Sequence, residues 1–152
     1  MQAPIIIGWR ERISLPKLGI RLKAKVDTGA RTSALHACSV KIIKKPRERK
    51  KVCFEIRLNS QRSPEKIIMC TANLIGIREV TDSGGHKEQR CVIKTPVMIG
   101  KCRRSIEITL TSRDNMRFKM LLGRTALKPK KGKPPFTINP NASYLLSKKN
   151  QQ

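Results

Sequence analysis

The sequence predicts an all-β fold, a barrel or a sandwich. Three observations lead there. Several segments, among them Val52–Leu58 and Ser105–Ser112, alternate apolar and polar residues with the period of a half-buried strand. Glycine, proline and asparagine punctuate the chain at close intervals, leaving eight or more short strands between turns. Alternating strand and helix units are absent, which argues against a doubly wound sheet. At 152 residues, one domain is expected over 1–147, with a disordered tail at 148–152.

In order, Ile5–Ile7 reads as a short strand and the segment to Leu15 continues it towards Pro16. Lys17–Ile20 turns, and a strand with Leu22, Ala24 and Val26 on one face runs into Asp27. Lys25 faces away from the core in that register. Thr32–Ile43 suits a strand with Ala34, His36 and Cys38 or their neighbours inward, or a short helix. Lys44–Lys51 is a charged hairpin tip broken by Pro46; residues 41–51 hold seven basic side chains against one Glu. Val52–Leu58 is a half-buried strand, Asn59–Pro64 a turn, and Lys66–Ile75 one strand or two joined by a bulge. Arg78–Ile93 reads as a hairpin around Asp82-Ser-Gly-Gly85. Thr95–Gly100 leads to a tight turn at Gly100-Lys101, and Ser105–Ser112 follows as a strand. Residues 113–116 turn into an apolar run, Phe118–Leu122, that ends at Gly123-Arg124. Thr125–Leu127 begins one helical turn, 128–135 is a basic, proline-rich loop, and Phe136–Ile138 and Ser143–Leu146 are terminal strands. With 3% aromatic residues, the core must be aliphatic; Trp9 reads as a packing anchor.

Charge sets this chain apart. Lys and Arg number 34 against ten acids, a net charge of +24, which favours polyanions such as RNA, the ribosome or an acidic peptide. A general basic bias that maps to no site explains the composition equally well. Base-stacking aromatics are too few for an RNA-recognition sheet. The five cysteines are widely spaced with no Cys-x-x-Cys, so buried free thiols are expected in place of a disulfide framework or zinc knuckle. No transmembrane span is visible, the N-terminus lacks a signal-peptide pattern, and a cytoplasmic location is the default.

The candidate site is Asp27-Thr28-Gly29-Ala30. Gly29 permits a sharp turn, and Asp and Thr side chains bond nearby N–H groups, a way to present a carboxylate from the floor of a cleft. The same tripeptide also makes an ordinary turn. Rival chemistries find less support. With two histidines, His36 and His86, and no His-Glu-x-x-His, no metal site is expected, although a metallopeptidase with Asp or Cys ligands stays open as a third reading. No Gly-x-Ser-x-Gly, Walker or Rossmann loop occurs, and no cofactor is expected. What remains is a pair of carboxylates sharing one proton, one activating water and the other protonating the leaving amine, the pattern known from aspartic proteases. Asp82 lies 55 positions from Asp27, too few to build a second lobe, and reads as a hairpin-tip residue. The second carboxylate is therefore expected from Asp27 of another copy across a two-fold axis.

Two stretches give a specific resemblance. Gly8–Ile20 followed by Lys23–Ala37, and Arg117–Leu127 with its apolar strand ending in Gly123-Arg124, resemble a bacterial retropepsin-like family, from about Pro4 to Leu146. Its members are often named ATP-dependent zinc proteases and are associated with RimK-type ATP-grasp glutamate ligases. The resemblance implies a closed β-barrel of the acid-protease type, active as a homodimer. Asp27 would be catalytic, Thr28, Gly29 and Ala30 would support its loop, and Gly84 and Gly85 would lie in a flap over the substrate. Leu121-Leu122-Gly123 would lie beneath the loop, and Tyr144-Leu145-Leu146 would join a dimer sheet. The implied activity is an aspartic endopeptidase on peptides or proteins, with acidic or glutamylated peptides suggested by the ligase link. The alternative is a non-catalytic basic module of the same fold on RNA, ribosome or another polyanion.

Overall fold

The computed structural model describes residues 3–60, 63–112 and 117–147. It contains strands β1 (Ile5–Gly8), β2 (Arg10–Leu15), β3 (Ile20–Val26), β4 (Ser33–His36), β5 (Cys38–Ile43), β6 (Lys51–Ser60), β7 (Ser63–Thr81), β8 (Lys87–Ile99), β9 (Cys102–Thr111) and β10 (Met120–Leu122), then the one-turn helix α1 (Arg124–Leu127) and β11 (Phe136–Asn139). The order β2-β3-β10-β4-β9-β8 closes on itself because β8 also pairs with β2, through Ile13↔Ile99 and Ser14↔Met98. The result is a closed barrel of six strands. Closure removes the open edges that a flat sheet would expose.

Inward positions follow the period-two pattern: Ile13 and Leu15 from β2, Leu22 and Ala24 from β3, Ile106 and Ile108 from β9, Met120 and Leu122 from β10 are all buried. Beyond β8 the sheet continues as an arm, β7-β6-β5. Val52, Phe54 and Ile56 from β6 are buried beneath it with Leu18, and each such side chain contributes about 1.5–3 kcal/mol of burial. β7 is a single strand of 19 residues. Its first part pairs with β6 and its second with β8, and it changes partner at a register shift between Leu74 and Gly76. β1 and β11 form a separate parallel pair.

Several expectations change. Residues 32–43 form two strands. β4 is buried throughout, inside the barrel, whereas β5 is largely exposed at the arm's edge; Ala37 stands between them, and a left-handed Ser39 (φ 52°) and a register shift between Cys38 and Lys41 mark the start of β5. The turn expected over 59–64 is shorter, since β6 reaches Ser60 and β7 begins at Ser63. The turn expected at 113–116 and the tail at 148–152 lie outside the described residues. Of the five free cysteines only Cys70 is fully buried, and burial pushes its thiol pKa up.

The terminal strand expected over Ser143–Leu146 is instead a turn, for an identifiable reason. Glu11, 0% exposed, accepts the N–H of Gly8 (2.7 Å) and Leu145 (2.9 Å) at Oε2 and that of Leu146 (3.3 Å) at Oε1. Tyr144 donates its N–H to Arg10 O (2.9 Å) with φ at 53°, a left-handed conformation that a strand does not allow. The carboxylate thus takes N–H groups that a sheet would need. Replacing Glu11 with Ala should leave one buried and two half-buried N–H groups without their acceptor and cost about 3 kcal/mol in urea unfolding, with Glu11→Gln losing less because its amide oxygen still accepts.

Candidate active site

Strand β3 delivers Asp27, and the loop that follows is not a hairpin, because β3 and β4 never pair. β10 lies between them, parallel to β3 (Leu122↔Val26) and antiparallel to β4 (Leu121↔Ala34). The chain from Asp27 to Thr32 therefore has to cross two inter-strand spacings, about 9.6 Å, and cannot close as a two-residue turn. Asp27 N–H donates to Leu122 O (2.8 Å), and the turn begins with Gly29 N–H on Asp27 Oδ1 (3.0 Å) and Ala30 N–H on Asp27 O (3.2 Å).

The rest of the loop is held from below. Arg124 Nη1 donates to Thr28 O (3.0 Å) and Gly29 O (3.1 Å), Arg124 N–H to Ala30 O (2.8 Å) and Thr125 N–H to Arg31 O (3.0 Å). Each carbonyl from residue 28 to 31 accepts a bond from the start of α1, where backbone donors have no partner within the helix. Gly123 makes that approach possible: a Cβ there would stand 2.6 Å from Thr32 C and 2.8 Å from Thr32 O. Its N–H donates to the buried Ser33 Oγ (3.0 Å). At the far end of the loop, Arg78 from β7 donates to Thr32 Oγ1 and pairs with Glu107 of β9, both at 3.2 Å.

Asp27 and Ala30 are half-buried, while Thr28 and Gly29 are exposed. Among the described residues Asp27 Oδ2 has no hydrogen-bond partner. The site thus offers one rigidly mounted carboxylate with one oxygen committed to its own loop and one turned to other company. Leu122 and Gly123 meet the two ends of the loop, at Asp27 and Thr32, while Leu121 lies between Lys25 and Ala34 within the strands.

Gly84 and Gly85 occupy the tip between β7 and β8, on a loop separate from Asp27. Asp82 is absorbed by that turn: its Oδ1 accepts the N–H of Gly84 and of His86, both at 2.9 Å, and its N–H donates to His86 O. His86 is exposed. His36 is buried in β4 with Nε2 3.8 Å from Cys38 Sγ. Among the described residues no three His, Cys, Asp or Glu side chains converge as a metal site would require. Two cavities lie away from Asp27, one of about 410 Å³ between Ile5, Cys102, Pro134 and Leu146, the other of about 190 Å³ under the basic tip at Lys45, Arg49 and Lys51.

Sequence reasoning missed Arg78, Glu107 and Ser33, which look like ordinary polar positions until the topology brings them to the loop. Arg124 is visible in the sequence as half of Gly-Arg but not as the brace of the loop. Two substitutions probe this arrangement. Gly123→Ala should cost about 3 kcal/mol, since its methyl meets backbone that cannot yield. Arg124→Ala should leave the barrel folded and speed hydrogen exchange at residues 28–31, measured by mass spectrometry.

Comparisons with known proteins agree with this architecture. The family model described as retropepsin-like aspartic endopeptidase RimB matches residues 6–148. Proteins named probable alpha-L-glutamate ligase share 37% identity over 145 residues in Shewanella pealeana, 41% over 124 in Desulfotalea psychrophila and 39% over 129 in Parasynechococcus marenigrum. These alignments cover 95%, 80% and 84% of this chain but only 30%, 26% and 27% of the relatives, so the chain spans under a third of their length. A crystal structure of a Legionella pneumophila protein of unknown function superposes with a TM-score of 0.73 at 23% identity, covering 95% of this chain and 99% of that one, a likeness of fold. Because the family model matches residues 6–148, nearly the whole chain, the chain belongs to the RimB-like family of retropepsin-like aspartic endopeptidases.

Proposed function

We propose that the chain is an aspartic peptidase that works as a homodimer, with the Asp27 carboxylates of two copies sharing a proton and a lytic water. The observation that carries this reading is the single braced Asp-Thr-Gly loop of a closed six-stranded barrel, whose carboxylate keeps one oxygen unpartnered among the described residues. One carboxylate is half of the chemistry: the ionised one takes a proton from water as it attacks the peptide carbonyl, and the protonated one donates to the departing amine. Held close across a two-fold axis, two like charges cannot both ionise readily, which divides the roles. Thr28, Gly29 and Ala30 would support that meeting, and Gly84-Gly85 would close over the substrate.

The substrate class we favour is an acidic or glutamylated peptide. The relatives' name as glutamate ligases and the net charge of +24 both support it, and association with a RimK-type ATP-grasp ligase would follow. Five free thiols fit a cytoplasmic setting. Among the described residues no helix is long and apolar enough to cross a membrane. The rival, a basic module binding RNA, ribosome or another polyanion without turnover, draws on the same charge and predicts salt-sensitive binding indifferent to Asp27.

The test is hydrolysis of a glutamate-rich peptide by the wild type and by Asp27→Asn, read by mass spectrometry at equal thermal midpoints. The variant should lose at least about a thousandfold in kcat, and a chelator should leave the wild type unchanged. Equal turnover in the two proteins would end the aspartyl reading, and chelator inhibition would favour a metallopeptidase.

A further inference from the structure

Two strands of the barrel carry a charge arrangement that works against their own stability. On the outward face of β2 and β3, Arg10 stands directly opposite Lys25, and Arg12 opposite Lys23, with Arg21 opposite Ser14 one row further on. Like charges directly across an antiparallel pair repel. Among the described residues the ion pairs join Arg57 to Glu55, Arg78 to Glu107, His86 to Asp82 and Arg90 to Glu88, and none relieves these five cations.

Three of the cations, Arg10, Arg12 and Lys23, are also held in place. The Tyr144 ring lies 4.5 Å from the Arg12 guanidinium, 5.0 Å from that of Arg10 and 5.9 Å from Lys23 Nζ, and Arg10 lies 4.6 Å over Trp9. Arg10 Nε also donates to Ser143 Oγ (3.1 Å). Tyr144 reaches this position in a left-handed conformation that a bulky residue adopts at a cost, fixed by the buried Glu11 on the following N–H groups. The face begins at the candidate site: Lys25 lies one strand repeat before Asp27, and Trp9 O accepts the N–H of Val26 (2.9 Å).

We propose that this face is the specificity surface of the Asp27 site, with Arg10 and Lys25 taking an acidic side chain of the substrate beside the scissile bond and Arg12 and Lys23 taking the next. The proposal rests on the peptidase reading above. Geometry favours an extended acidic peptide. Successive rows along β2 and β3 are about 6.8 Å apart, the spacing at which alternate side chains of an extended chain project to one side. Single-stranded nucleic acid fits less well, because base stacking needs open aromatic faces and the Trp9 and Tyr144 rings are already covered by cations. A duplex, which binds through phosphates alone, is discriminated by the test below.

The test uses full-length Asp27→Asn protein, which holds substrate without turning it over, and fluorescein-labelled deca-glutamate followed by anisotropy. Adding Lys23→Gln and Lys25→Gln together should weaken binding about tenfold at low salt, with less loss at high salt, while the thermal midpoint holds or rises because like charges have been removed. Lys44→Gln with Lys45→Gln, on the basic tip, should change affinity less than about twofold. In otherwise wild-type protein the Lys23/Lys25 pair of substitutions should raise KM on the same peptide and leave kcat nearly unchanged. Unchanged affinity in the Lys23/Lys25 variant, or a larger loss from the tip variant, would overturn the proposal. So would tighter binding of an RNA duplex of equal charge that is lost on the same two substitutions. Failure of the aspartyl reading is seen separately, as peptide that binds this face but is never cut by the wild type.

Discussion

The insertion of β10 between β3 and β4 is the constraint on which the site depends. Because the two strands flanking Asp27 are held apart, the loop must span a gap that its own hydrogen bonds cannot close, and another segment has to fill it. That segment is the continuation of β10 itself: Gly123 passes under Thr32, and Arg124 and Thr125 take the four carbonyls from 28 to 31. A strand, a glycine and an arginine in sequence thus do three jobs in one place: they separate, they make room and they brace. The carboxylate gains a rigid mount, which lets a second group meet it in a defined geometry.

Buried charge has a parallel role elsewhere. Arg104 from β9 is 3% exposed, donates to the carbonyls of Ala126, Lys128 and Pro134, and lies 4.5 Å over the Phe136 ring. It closes the end of α1 and ties the proline-rich loop to the barrel. Glu11 does the same for the C-terminal turn. Each offsets its desolvation with several hydrogen bonds to backbone groups that would otherwise be unsatisfied in a short, loop-rich region. In so basic a chain, the buried Glu11 carboxylate and the buried Arg104 guanidinium tie down the two loop-rich ends, while Arg90 is a further buried guanidinium, paired with Glu88 and bonded to Thr109.

Much of this was legible in the sequence because closed barrels impose period two. β2, β3, β6 and the hairpin around Gly84-Gly85 follow the expected pattern, and Asp27 and Gly123-Arg124 were visible as motifs. The failures have physical causes. Residues 33–36 are covered on both sides, so alternation gives no sign of where β4 ends and β5 begins. Tyr144–Leu146 reads as a strand because local propensity does not know that Glu11, more than 130 positions away, takes its N–H groups. Arg78 reaches Thr32 and Glu107 only because the strand order β4-β9-β8-β7 places them side by side, which pattern alone does not specify.

β7 has a mechanical meaning beyond its place in the sheet. It is a beam of 19 residues, about 60 Å of contour, seated on β6 at one end and on β8 at the other. At the changeover its Leu74 N–H is taken by Lys50 O (2.9 Å), at the root of the basic tip. From that point seven residues of β7, about 23 Å, run paired with β8 towards the Gly84-Gly85 turn. The length that lets one strand serve both arm and barrel also joins the root of the basic tip to the distant turn through one continuous backbone.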